Sequence, residues 1–285
     1  MNVKVFLYLM GIWTLCCTGV QAQSGWSRVR QSWYAKLDAS VFRSSTYYNP
    51  DGEKVNSAEF RQNAINLYGE YGCTDRLTAI ISWPLLRTNA FERTETVYGT
   101  GDLRLEAKYR FTGNAWPVSI SIAPEIPTGR ANAMAENMDF PGNFINLPTG
   151  DGEFNVWATL AASKSLGQTY VSAFTAYDFR TAYEGMAFQD LYQFGAEFGW
   201  NPVKPVWIIG KARAQYSTGD SEHAELGFLR GDASEFTQYT LEASWQVTPR
   251  WGASFCFSNM DDFVAPLQNV YAAPTYTLGV FYKTD

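Results

Sequence analysis

Residues 101–111 read GDLRLEAKYRF, and after a short TGNAW link residues 117–126 read PVSISIAPEI. In the first stretch, apolar residues alternate strictly with the four charged residues Arg104, Glu106, Lys108 and Arg110. The second stretch repeats the alternation, with Glu125 on its polar side. A period of two predicts β-strands that have one apolar and one polar face. Because Thr-Gly-Asn is a turn signal, the two stretches predict an antiparallel hairpin.

The same alternation recurs along the rest of the chain. It predicts strands at residues 33–43, 64–71, 77–86, 103–110, 117–126, 154–164, 170–179, 191–200, 206–216, 235–247, 251–259 and 275–283. The connections alternate between long loops and tight turns, and the tight turns lie near Thr74, Gly113, Gly167, Val203 and Pro249. This asymmetry and an even count of about twelve strands are typical of an all-β, transmembrane, up-and-down antiparallel β-barrel with short periplasmic turns and long extracellular loops. A soluble β-sandwich has no reason to sort its loops by length.

The composition agrees with an exported barrel. Aromatic residues make up 16% of the chain, and the net charge of −6 argues against a nucleic-acid partner. No stretch is apolar for the roughly 18 residues that a membrane-spanning helix needs. Cys73 and Cys256 fall on predicted strands that are not neighbours, so we expect no disulfide between them.

The N-terminus has the pattern of a secretory signal peptide. Lys4 precedes an apolar run at residues 5–15, and Val-Gln-Ala at residues 20–22 is a small-residue cleavage site. A lipid attachment at Cys16 is disfavoured because the bulky Leu15 precedes it. We therefore expect a signal peptide at residues 1–22, a periplasmic lead-in at residues 23–32 and the barrel at residues 33–285.

A charge that faces lipid at the bilayer midplane costs about 2–4 kcal/mol, so the charged face of each strand is expected to point into the lumen. The predicted lumen-lining residues are Lys36, Asp38, Arg104, Glu106, Lys108, Arg110, Glu125, Lys211, Arg213 and Glu242. Two interpretations remain open for them. Opposite charges pair across strands and fill a narrow lumen, or the side chains line a permeation path. Aromatic residues near the strand ends predict two interfacial girdles.

The sequence offers little for catalysis or metal binding. His223 is the only histidine, and it lies in the polar loop segment TGDSEH, so we predict no enzyme activity. One histidine and two separated cysteines form no metal-ligand pattern, and no cofactor is expected.

The longest connection, residues 127–150, carries apolar side chains where a loop is usually polar. These include Met134, Met138, Phe140 and Phe144. They are expected either to fold into the mouth as a lid or plug or to contact a hydrophobic solute, or else to pack between loops on strands that extend above the membrane. Both interpretations remain open.

Three short motifs carry a family resemblance. The motifs are Gly99-Thr100-Gly101-Asp102-Leu103, the turn Tyr71-Gly72-Cys73-Thr74-Asp75-Arg76-Leu77, and Pro127-Thr128-Gly129 together with Thr149-Gly150-Asp151-Gly152. The chain resembles the outer-membrane transporter family that is named after the meta-cleavage pathway of phenol degradation. The C-terminal Lys283-Thr284-Asp285 departs from the usual terminal aromatic.

The resemblance implies uptake of small, often aromatic or hydrophobic compounds. We therefore expect a monomeric outer-membrane channel in contact with lipid and a small solute. The alternative is a non-conducting barrel with a structural or surface-binding role.

Overall fold

The structure is a computed structural model that describes residues 24–113, 115–220 and 230–284. The predicted signal peptide and His223 lie outside the described residues. Within them, the strands are β1 (Trp33–Tyr48), β2 (Lys54–Gly72), β3 (Leu77–Phe91), β4 (Val97–Gly99), β5 (Leu103–Arg110), β6 (Val118–Ile126), β7 (Met134–Glu136), β8 (Phe144–Asn146), β9 (Asn155–Leu166), β10 (Thr169–Arg180), β11 (Leu191–Val203), β12 (Val206–Ser217), β13 (Phe236–Gln246), β14 (Trp251–Asp261), β15 (Val270–Tyr271) and β16 (Thr275–Lys283).

Twelve long strands close into one antiparallel barrel. Each long strand pairs with the next one along the chain, and β1 pairs both with β2 and with β16, which closes the ring. The short strands β4 and β15 extend the wall beside β3 and β1, and β7 and β8 form a separate hairpin. The predicted twelve-stranded barrel is confirmed. Below, the end with the five tight turns is called the turn end, and the opposite end is called the loop end.

The first long connection differs from the predicted loop. β1 continues to Tyr48 and β2 already begins at Lys54, so most of this connection is a paired extension of the wall. A tight turn joins the two strands, in which the Asn49 side chain accepts hydrogen bonds from the backbone N–H groups of Asp51 and Glu53. Residues 54–59 are exposed or partly exposed on both faces. Because both faces of this extension meet solvent, the sequence lacks the alternation that marks a lipid-facing strand.

The two faces of the wall separate apolar from polar side chains. On β1, Leu37 is 49% exposed, whereas the neighbouring Lys36 is only 1% exposed. Exposed apolar side chains cover the outer surface, and aromatic pairs such as Trp33 with Tyr71 lie at the turn end with ring centroids 4.4 Å apart. An apolar band bordered by interfacial aromatics is the surface of a barrel embedded in lipid.

Two further expectations concern helices and cysteines. In the described part of the chain, no helix is long and apolar enough to cross a membrane. Cys73 and Cys256 are both free, and Cys256 is buried inside the barrel. The expectation that these two residues form no disulfide is confirmed.

The register of β5 generates a stability prediction. Leu105 is 39% exposed on the outer face, whereas Glu106 is 9% exposed and points inward. We expect Leu105→Arg to destabilise the barrel by about 2–4 kcal/mol, because the new charge would face lipid. Urea unfolding of protein refolded in liposomes measures this, with Glu106→Gln as the control. A larger loss in the Glu106→Gln variant would show that the two faces are exchanged.

Candidate functional site

Side chains fill the turn-end half of the lumen. An apolar cluster of Tyr34, Tyr68, Ile80 and Phe281, with Trp207 against it, occupies the first layers above the turns. Charged residues of β1, β11, β12 and β13 lie among these layers, and their ion pairs are Lys36 with Asp38 at 3.9 Å, Lys211 with Glu242 at 3.3 Å and Lys211 with Glu197 at 3.7 Å. Pairing of opposite charges compensates these side chains for the loss of solvation inside the lumen. These side chains therefore narrow this half of the lumen.

The predicted N-terminal lead-in lies inside this end of the barrel. The Gly25 N–H donates to Ser163 Oγ on β9 at 2.8 Å, and Ser119 Oγ on β6 donates to the Ser24 carbonyl at 3.1 Å. The Trp26 ring meets Tyr170 of β10 edge-on, with centroids 5.4 Å apart. The segment therefore starts on the β6–β10 side of the mouth.

The segment then crosses to the opposite wall. The Arg28 backbone N–H donates to Thr78 Oγ1 at 2.8 Å. The Arg28 side-chain Nε lies 2.6 Å from Glu70 Oε2, and the guanidinium group stacks over the Tyr34 ring. Arg28 and Glu70 are both buried. A Cβ on Gly72 would lie 1.9 Å from the carbonyl oxygen of Val29, so glycine is required for this close approach. Residues 24–32 thus form a strap across the turn end.

The loop-end half of the lumen holds a cavity of about 580 Å³. Strands β5, β6, β9 and β10 give it a charged wall with Arg104, Glu125, Asp178 and Arg180. Strands β1, β2 and β16 give it an uncharged wall that includes Ser40, Phe42, Phe60, Gln62 and Thr277. We call this cavity the chamber. Its size matches the pockets that bind small molecules.

Several chamber arginines are stacked on aromatic rings. The Arg104 guanidinium lies 4.8 Å from the Trp157 ring centroid, and the Arg213 guanidinium lies 5.3 Å from that of Phe236. Arg213 Nε also donates to the Gln238 side-chain oxygen at 2.9 Å. Stacking on a ring face fixes the plane of a guanidinium without using its donors. The chamber therefore presents oriented cations beside aromatic surface.

The structure separates the ten predicted lumen residues into groups. Arg104, Glu125 and Arg213 line the chamber. Lys36, Asp38, Lys211 and Glu242 belong to the ion pairs of the filled half. Glu106 and Lys108 are buried on β5, and Arg110 reaches the Asp75 carbonyl at the turn end at 3.0 Å. The structure thus brings only three of the ten together at one cavity.

The long loop packs on the barrel rim, where Arg230, a residue that lines the chamber, donates to the Ala131 carbonyl at 3.3 Å. Its hairpin, β7 and β8, buries Ala133, Ala135 and Leu147 against Val97 of β4. The four predicted lid residues lie on other surfaces of the loop and are 57–63% exposed: Met134, Met138, Phe140 and Phe144. None of these four is among the residues that line the chamber.

The glycine-aspartate motifs converge at one junction on the chamber rim. Asp102 accepts hydrogen bonds from the Gly129 N–H at 2.9 Å and from the Asp151 N–H at 2.7 Å. A Cβ on Gly150 would lie 2.4 Å from Asp102 Oδ1. Two segments of the long loop therefore dock on the residue just before β5, and the two glycines make the approach possible.

Acidic side chains are concentrated at this junction. The carboxylates of Asp102, Glu125 and Asp151 offer oxygens that all lie within 4.8 Å of one another. Burial raises the pKa of the Asp151 carboxyl well above its ordinary value, although Arg180 opposes the rise. Burial likewise raises the pKa of Glu153 to about 7, against the lowering effect of Arg180. Our sequence-based metal prediction considered histidine and cysteine and took no account of carboxylates.

Sequence reasoning missed several residues of this wall. Asp178 and Arg180 lie on the inward face of β10, and the alternation along residues 170–180 contained that signal. Asp102 and Asp151 stood within the motifs that carry the family resemblance. Their convergence depends on tertiary contacts between distant segments, which the period of two does not report.

The fold places the chain among the β-barrels of outer membranes. It is similar to the COG4313 outer membrane channel from Pseudomonas putida F1, with a TM-score of 0.66 and 14% identity over 93% of this chain and 100% of that chain. It is also similar to the NanC porin, with a TM-score of 0.53 and 10% identity over 88% of this chain and 100% of that chain. The translocator domain of the autotransporter NalP from Neisseria meningitidis gives a TM-score of 0.53 and 9% identity over 90% of each chain.

Comparisons with sequence families add nothing to these structural likenesses. No protein-family model matches the chain, and no curated protein matches it. At these identities the similarity establishes the barrel fold alone.

The junction generates a prediction about glycine. We expect Gly150→Ala to destabilise the barrel rim by about 1–3 kcal/mol, because the added methyl group would collide with Asp102. Faster cleavage of the 127–154 loop in limited proteolysis measures the loss of docking. Gly113→Ala is the control, since a Cβ there meets nothing within 4 Å. If the protease cleaves the loop equally slowly in both variants, the close approach of Gly150 to Asp102 is not what docks the loop.

Proposed function

We propose that the chain is an outer-membrane channel for small solutes, closed in this structure by the strap of residues 24–32. The observation that carries the proposal is a chamber of about 580 Å³ separated from the turn end by a segment that pairs with no strand over most of its length. Export by a signal peptide at residues 1–22, a monomeric state and the absence of catalysis are parts of the same proposal.

The strap is suited to act as a gate because its removal breaks no strand ladder. Its attachments to the barrel are the Arg28–Glu70 ion pair, the Trp26 ring contact, and hydrogen bonds at residues 24, 25, 27, 28, 30, 31 and 32. A hydrogen bond contributes about 0.5–1.5 kcal/mol net, so such an attachment can open while the barrel stays intact. The filled layers above the strap narrow the path further, and Arg28 stacks directly on Tyr34 of those layers.

The chamber chemistry favours solutes that combine an apolar body with a polar or charged group. Phe42 and Phe60 offer aromatic surface on the uncharged wall of the chamber. Arg104 on β5 and Arg213 on β12 offer oriented cations. The resemblance to the phenol-degradation family agrees with small aromatic compounds, and membership of that family is part of the proposal.

Removing the strap tests the gate. We expect deletion of residues 24–30 to raise the single-channel conductance in planar bilayers several-fold, because the turn end would lose its cover. The matched control is deletion of residues 131–146, which removes the hairpin that the sequence suggested as a lid. A folded, heat-modifiable strap deletion with unchanged conductance contradicts the gate. A rise only in the hairpin deletion would assign gating to the loop.

A non-conducting, surface-binding barrel is the second candidate. The observation that favours it is the set of exposed apolar side chains on the long loop, among them Met138 and Phe140, which are 60% and 63% exposed. Exposed apolar patches mark contact sites. Solute flux into proteoliposomes separates the candidates, because this alternative requires that no solute enters even after the strap is removed.

The proposed orientation places the long loops outside the cell. In a variant without Cys73 and Cys256, we expect an impermeant thiol reagent to label Met138→Cys on whole cells and to leave Gln168→Cys unlabelled. Both positions are exposed, so access rather than burial decides the result. If the reagent labels only Gln168→Cys, the orientation of the barrel in the membrane is the reverse of the one proposed.

A further inference from the structure

We propose that the junction on the chamber rim binds a hard divalent cation of the size of Ca²⁺, through the carboxylates of Asp102, Glu125 and Asp151. These residues come from the position just before β5, from β6 and from the end of the long loop, so they meet only in the folded barrel. Their ligand oxygens all lie within 4.8 Å of one another. Two oxygens on opposite sides of a Ca²⁺ ion are about 4.6–5.2 Å apart, since Ca²⁺–oxygen distances are about 2.3–2.6 Å.

A neutral oxygen on the neighbouring strand lines the same chamber as Glu125 and Asp151. Asn155 lies directly opposite Glu125 in the β6–β9 ladder. It is 3% exposed, and its side-chain carbonyl oxygen has no hydrogen-bond partner. A buried amide oxygen without a donor is costly, and Ca²⁺ commonly accepts such an oxygen as a ligand. This orphaned acceptor is an observation independent of the three acids.

A second buried acceptor borders the same site. Asp178 on β10 is 2% exposed, and its Oδ1 has no hydrogen-bond partner. It lies in the electrostatic neighbourhood of Glu125, Arg180 and Glu153. A buried carboxylate needs a cation or donors to offset its desolvation. The oxygen is therefore available to a bound cation or to its hydration water.

The nearby arginines neutralise the three carboxylates only in part, through the Arg180–Asp151 ion pair. Arg180 gives its donors to Glu153 and to the Arg230 and Gly231 carbonyls, and it comes no nearer to Asp151 than 3.9 Å. Arg87 donates to the Thr149 carbonyl. Arg104 lies opposite Glu125 in the β5–β6 ladder and stacks on Trp157, and its Nε and one Nη are buried without a hydrogen-bond partner. Among the described residues, no basic nitrogen lies within 4.0 Å of the Asp102 or Glu125 carboxylate.

Carboxylates outnumber the arginines that surround them in this region. The five carboxylates are Asp102, Glu125, Asp151, Glu153 and Asp178, and the three arginines that act on them are Arg87, Arg104 and Arg180. Bound there, the cation would hold the long loop to the barrel wall beside the chamber.

Terbium luminescence tests the site directly. Tb³⁺ replaces Ca²⁺ at oxygen sites, and Trp157, which stacks with Arg104 two residues along β9 from Asn155, is placed to sensitise its emission. With detergent-solubilised full-length barrel, we expect saturable emission that Ca²⁺ displaces, with half-displacement at about 0.1–1 mM, as in extracellular calcium sites. The Trp157→Phe variant should lose most of the emission.

Variants distinguish this site from surface binding. We expect Glu125→Gln to weaken Tb³⁺ and Ca²⁺ binding at least tenfold. Asp139→Asn is the matched control, because Asp139 is an exposed carboxylate of the same long loop. Heat-modifiable migration verifies that each variant is folded, and an Asn155→Leu variant that keeps every charge should also weaken binding. Emission that Ca²⁺ does not displace, or equal affinity in the wild type and Glu125→Gln, would overturn the proposal.

Discussion

Within the hydrocarbon core, each backbone N–H and C=O group must find its partner in a neighbouring strand, because no water is present to replace one. The pairing of β1 with both β2 and β16 satisfies this requirement for the whole ring, since it leaves no edge. All other features of the chain depend on that closure. It fixes which side of each strand faces lipid, and it encloses every polar side chain of the opposite face in one lumen.

The β5–β6 ladder of the wall has a gap, and the junction lies beside it. The β5–β6 ladder pairs Arg104 with Glu125 and then resumes at Ala107 with Ile122. Pro124 lies in the gap and has no N–H to donate, so the ladder cannot be continuous there. The docking of the long loop on Asp102, through two hydrogen bonds from backbone N–H groups, supports the wall just above the interruption.

The sequence predicted the wall well because a period of two is a local property. A strand such as β5 shows its two faces in eight residues, and the positions of Leu105 and Glu106 follow from it. What lies inside the lumen could not be derived in this way. The strap has no periodicity, and Arg28 meets Glu70 across 42 positions of sequence. The extension of β1 and β2 above the membrane was missed for a related reason. Both faces of the extension meet solvent, so its sequence does not alternate between apolar and polar residues.

The motifs that carry the family resemblance have a structural explanation in this fold. Gly129 and Gly150 are needed where a Cβ would collide with backbone or with Asp102, and Asp102 is needed to accept two N–H groups. These requirements follow from docking a long loop on a barrel rim and would be the same for any solute. Similarity in these motifs therefore reflects how the long loop is docked on the barrel wall. In the proposed channel, the choice of solute depends instead on the side chains of the chamber, above all on Arg104 and Arg213, whose guanidinium groups are held on aromatic rings.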